Sequence, residues 1–185
     1  MTWYERIEEL LNKNMTEKGF KLWKGIDNML PTIWDKPTSS TGKYHQKAEG
    51  YVPDCAEHTY EMLHAAVPLL GAFNVTPTTT DADMILLAIV LHDSMKYGKE
   101  GELKHTTGKH DQLVGNMVEA NKKTIQKLLT ESQTDILIDS VRYHSGRWST
   151  DATKAFDFSQ FNSIVMFIHM LDMLSTKDLI KIPHD

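Results

Sequence analysis

Residues 85–98, ILLAIVLHDSMKYG, place His92 and Asp93 side by side directly after seven consecutive apolar residues. A carboxylate carried to the buried end of such a run costs several kcal/mol, or surrenders its charge, unless partners neutralise it. Those partners have to arrive from other parts of the chain, so the architecture follows from asking which segments supply them.

Apolar residues recur mainly at intervals of three and four, which predicts helices. Trp3, Ile7, Leu10 and Leu11 define an amphipathic helix over 3–13, and Phe20, Leu22, Trp23, Ile26 and Leu30 a second from Thr16 to Leu30, ended by Pro31. Residues 31–53 carry prolines, glycines and hydroxyls without periodicity and read as a long loop, a kind that is often functional. A third helix starts near Pro53 and Asp54 and runs to about Val67, where PLLG breaks it. The fourth is capped by Thr80 or Asp81 and carries the His92-Asp93 pair at its far end. After the glycine-containing loop 97–109, helices are predicted over His110 to Leu129, Ser132 to His144 and Ser159 to Ile180. No repeat, low-complexity tract or strand alternation interrupts the pattern, so the fold class is all-α.

At 185 residues and 41% hydrophobic, the chain is long enough for one domain with a sizeable core. Its net charge of -5 and scattered basic residues argue against a duplex-DNA binder. The apolar runs MILLAIVL and IVMFI are far short of the ~20 residues that span a bilayer, so no membrane segment is expected. Cys55, alone, makes no internal disulfide, and the amino terminus MTWYERIEELL is acidic and amphipathic; a cytoplasmic protein is expected. The unusual feature is nine histidines, histidine being the commonest metal ligand.

Within or at the ends of the predicted helices fall His58, His92 with Asp93, His110, His144 and Asp172, one contribution from each of the five central helices. Imidazoles and carboxylates converging in a bundle core are a recurrent way to build a metal site, and two divalent ions would offset the charge of Asp93 and Asp172. Such a mixed donor set suits Fe, Mn, Co, Ni or Zn better than calcium. A close pair of these ions polarises a phosphoryl oxygen and lowers the pKa of a water towards 7, which serves phosphate-ester hydrolysis. Lys96, one turn after Asp93, could contact the phosphate.

The ordered set, with LHDSMKYG, RYHSG and HMLDMLST around it, resembles the HD-domain superfamily of metal-dependent phosphohydrolases over roughly residues 45–178. The resemblance implies an HD-type helical bundle with the metal site in its core: residues 1–52 as N-terminal helices and a loop near the active site, packed on a phosphohydrolase core over 53–180. It implies that His58, His92, Asp93 and Asp172 hold one metal, and that His110 and His144, with Asp93 bridging, hold a second. Asp93 and Lys96 would be the catalytic residues. Ser145 follows His144 where the cyclic-dinucleotide subgroup pairs histidines, and no GYP tripeptide occurs, so the pattern departs from that subgroup.

The substrate expected is a small phosphorylated molecule, a nucleotide or short oligonucleotide. His45, in GKYHQKAEG ahead of the first ligand, Arg142 and Arg147 flanking His144, and Trp148 are candidates for substrate binding, the arginines for phosphate and the indole for a base. His105 rivals His110 for its ligand position. His64, His169 and His184 read as structural or terminal, and Cys55 as a small core residue. Two other readings compete: a metal-dependent 3'-5' nuclease, against which stands the absence of a basic track, and a non-catalytic nucleotide-binding module, against which stands the complete ligand set.

Overall fold

The computed structural model describes residues 1–41, 47, 50–149, 159 and 161–182. Among these residues eight helices occur and no strand: α1 (Trp3–Asn14), α2 (Glu17–Asp27), α3 (Cys55–Leu69), α4 (Thr80–Leu91), α5 (His110–Ala120), α6 (Lys122–Ile125), α7 (Glu131–Tyr143) and α8 (Ser163–Thr176). Short 3-10 turns follow α3 at Leu70–Phe73 and α7 at Gly146–Trp148. No helix among the described residues is long and apolar enough to cross a membrane.

α4 is the axis of the bundle. A helix apolar on every side can be stable in water only when surrounded, and every residue from Ala82 to Leu91 is buried. α1, α2, α3, α7 and α8 all pack against it, and α5 packs on α7. The N-terminal helices share this core: Ile7 and Leu11 of α1 and Trp23 and Ile26 of α2 belong to the same cluster as Ile85, Leu86 and Leu87. The polar exception inside α4, Asp83, accepts from the backbone N–H of Thr16 at 2.8 Å and from its hydroxyl at 2.5 Å. Burial pushes the Asp83 carboxyl above its usual range, with both Thr16 bonds opposing. A Cβ on Gly19 would come within 2.3 Å of that carboxylate, so the first turn of α2 sits directly on it.

Several helix ends differ from the periodicity. α2 stops at Asp27 rather than Leu30, its last turn closed by Leu30 N–H on the Asp27 carbonyl. α3 passes through Pro68 and only then tightens into a 3-10 turn. α4 is capped by Thr79, whose hydroxyl accepts from Ala82 N–H, one residue before the expected cap. The single helix expected over 110–129 is broken at Asn121, where backbone and side-chain nitrogens both turn back to the Met117 carbonyl, at 3.1 and 2.9 Å. Apolar spacing cannot register that break, because Val114, Val118, Ile125 and Leu129 all remain buried. α8 is shorter than predicted at both ends, starting after the Asn162 cap.

Truncating the fully buried Leu86 to alanine should lower stability by about 2–5 kcal/mol, the usual cost of a cavity in a packed core; urea unfolding followed by circular dichroism measures it.

Candidate metal centre

Four histidine rings are aimed at one point by their Nδ1 atoms. In three of them Nδ1 donates to the carbonyl three residues earlier: His92 to Ile89 at 2.6 Å, His110 to Thr107 at 2.8 Å and His144 to Val141 at 2.8 Å. This local device works because His92 and His144 cap the C-termini of α4 and α7, where the last carbonyls have no helical donor. His58 lies inside α3, where the preceding carbonyls serve the helix itself. Its Nδ1 instead reaches Ser175 of α8 at 2.8 Å, and the Ser175 hydroxyl donates onward to Glu61 at 2.6 Å. With Nδ1 donating in each, a ring that carries a single proton presents its Nε2 lone pair to the centre.

Those lone pairs meet. Nε2 of His58 and His92 are 3.2 Å apart, and Nε2 of His110 and His144 are 3.1 Å apart. Asp93 lies between the pairs, immediately after α4 where the chain changes to three-residue turns, Ser94 N–H on Leu91 and Lys96 N–H on Asp93. Its Oδ2 faces the first pair, 3.4 Å from His92 and 3.8 Å from His58. Its Oδ1 faces the second, 3.0 Å from His110 and 3.6 Å from His144. Asp172 of α8 approaches His58 Nε2 at 3.2 Å.

Burial alone would raise the Asp93 carboxyl, but the Lys96 ammonium beside it, then His92, His110 and His144, hold it well below the usual carboxylate range. Asp172 is likewise held low: burial is outweighed by its contact with His58 and the field of His92 and His144. Burial pushes the His58 imidazole down, with Asp172 opposing. Lys96 stays charged because its ion pair with Asp93 outweighs its own burial. Ionised carboxylates and neutral imidazoles are the ligating forms of these groups. Facing acceptors at hydrogen-bond distance need a cation between them, and with His58 kept neutral a divalent metal fits better than a proton. The donors fall into two groups that share Asp93: His58, His92 and Asp93, and Asp93, His110 and His144.

The structure brings together six of the residues singled out as ligands and sets Lys96 against them. His105 is exposed, whereas His110 joins the cluster. Arg142 spends its guanidinium on α5, bonding Asn116 at 3.0 Å and Glu119. Trp148 is 54% exposed in the turn just after His144. His64 is exposed and stacks on Tyr60. His45, His184 and the side chain of Arg147 lie outside the described residues. Burial raises the Cys55 thiol to about 12, with the Lys96 ammonium opposing.

Sequence reasoning missed the supports. Glu61 and Glu57 of α3 are both buried and share Lys47, which bonds Glu57 at 2.8 Å and Glu61 as well. Tyr51 also donates to Glu57. Through Glu61 and Ser175 this network reaches His58 and ties the loop after α2 to a ligand. Glu61 stands three residues after His58 and Ser175 three after Asp172, a spacing that places each on its ligand's helix face and that could have marked them.

The arrangement is that of an all-α metal centre with its donors at the core of a bundle. The HD domain family profile matches residues 55–178, which span the whole cluster from His58 to Asp172, and the chain belongs to that family, whose members are in general metal-dependent phosphohydrolases. No curated protein and no solved structure matches the chain significantly.

Ser175→Ala removes the acceptor that orients His58 while leaving every ligand in place. Metal affinity of the His58 group should fall about 10- to 100-fold, as outer hydrogen-bond partners of ligating histidines do on mutation; calorimetric titration with manganese reads it.

Proposed function

We propose that the protein is a two-metal phosphohydrolase that cleaves a phosphate ester of a nucleotide or short oligonucleotide by metal-activated water. The observation that carries this reading is the disposition of Asp93, with one carboxylate oxygen turned to each histidine pair. His58, His92 and Asp172 with Asp93 would hold one ion, and His110 and His144 with Asp93 the other. Iron, manganese, cobalt, nickel and zinc suit these donors. When bound, the ions supply Lewis acidity towards a phosphoryl oxygen and a water of lowered pKa.

The protein's own groups do the rest. Nδ1 bonding holds each imidazole in one orientation, so the site reorganises little when it fills. Asp93 spaces the two halves and is kept ionised by Lys96. The Lys96 ammonium, buried among these acceptors, supplies a fixed positive charge where negative charge builds on a phosphoryl group in transfer. Trp148 offers an exposed apolar face four residues from His144, which supports a substrate carrying a base.

The reading is tested by metal count and turnover together. Protein prepared with manganese should approach two ions per chain, and the double change His110→Ala and His144→Ala should leave about one and remove most of the activity. Saturation of the wild type at one ion excludes the two-metal mechanism. A panel of nucleotides, cyclic nucleotides and single-stranded oligonucleotides identifies the bond cleaved. Turnover confined to oligonucleotides indicates a nuclease, and metal binding without any turnover indicates a binding module.

Lys96→Ala should slow turnover by about 10- to 1,000-fold, since one donor to a developing charge is worth a few kcal/mol, with metal content unchanged. A parallel fall in metal content, measured by elemental analysis, would make Lys96 a structural partner of Asp93 instead.

A further inference from the structure

His169 reads from the sequence as a structural histidine, yet the fold places it against the backbone of a ligand. It lies on α8 one turn before Asp172 and is buried. Its Nδ1 donates to the His144 carbonyl oxygen at 2.6 Å. That carbonyl belongs to the C-cap of α7, where helix geometry supplies no donor of its own.

The chain beyond His144 is shaped around the same ring. Gly146 has φ +59°, and a Cβ there would stand 2.5 Å from Cε1 of His169, 2.9 Å from Nε2 and 3.0 Å from Nδ1. Glycine is required at this position twice over, for its left-handed backbone and for the room the imidazole takes. The His144 ring is fixed to its own helix by the Nδ1 bond to Val141, so the direction of its Nε2 depends on where its backbone is held. His169 is what α8 uses to hold it.

We propose that His169 is a positioning residue for the group formed by Asp93, His110 and His144. It anchors the backbone of His144 to the helix that carries Asp172 and so couples the two halves of the centre. The proposal rests on the two-metal reading and adds to it the residue that sets the second half in register with the first.

The test separates hydrogen bond from packing. His169→Phe keeps a ring over Gly146 and removes the donor, whereas His169→Asn keeps an N–H close to the place of Nδ1. The probes are manganese titration for the number and affinity of ions, and the visible absorption of cobalt-loaded protein as a signature of ligand geometry. With two ions bound by the wild type, His169→Phe should weaken the second by about 10- to 100-fold and alter the cobalt spectrum. The first ion should be unaffected, and His169→Asn should recover most of the loss. If His169→Phe does not fold, His169→Ala against His169→Asn reads the same difference. Two ions bound by every variant with wild-type affinity and spectrum overturn the assignment of His169 alone. A wild type that binds a single ion overturns the two-metal reading, and this proposal with it.

Discussion

The carboxylate of Asp93 is the constraint around which the molecule is organised. It stands at the end of a helix with no polar face, so its desolvation has to be met by groups brought from elsewhere. One histidine pair stands at each oxygen, and the Lys96 ammonium is foremost among the groups that hold the carboxylate ionised despite its burial. Four imidazoles and the carboxylates of Asp93 and Asp172 at such distances would be a liability in a core with no further role. As a donor set for divalent cations they are mutually consistent, and this is the physical link between the bundle and the chemistry of its family.

The same need explains how the helices terminate. A histidine at a helix end borrows one of the free carbonyls of the last turn to fix its ring, which is why His92 and His144 are caps rather than interior residues. His58, inside its helix, has no such carbonyl and depends on Ser175 and Glu61 across the α3–α8 contact. The centre therefore combines histidines oriented by their own elements with others that need a neighbour. α8 serves both halves: Ser175 orients His58, Asp172 faces it, and His169 holds the backbone of His144.

The loop after α2 is drawn into this system through Lys47. Two buried glutamates on α3 share that one ammonium, with Tyr51 as a further donor to Glu57. The favourable charge interactions of Lys47 outweigh the cost of its partial burial. One of those glutamates also accepts from Ser175, so the anchoring of the loop and the orientation of His58 share a carboxylate. The orientation of His58 and the placement of Lys47 and Tyr51 are thus properties of a single hydrogen-bonded network.

Helical class, the apolar axis and the order of the six residues that cluster in the core were legible in the sequence, because burial and helical spacing are local regularities that leave a periodic trace. The choice of His110 over His105 rested there on a helix following directly, and tertiary structure places His110 beside His144 and leaves His105 exposed. The break at Asn121 was hidden because apolar residues continue in register across it. Nor could spacing show that each oxygen of Asp93 faces its own histidine pair, that Arg142 turns to α5, or that His169 and Ser175 bond to His144 and His58 on other helices. Each of those facts depends on the approach of helices distant in the chain. Periodicity determines which face of a helix is buried, but only packing decides which residue of another helix that face will meet.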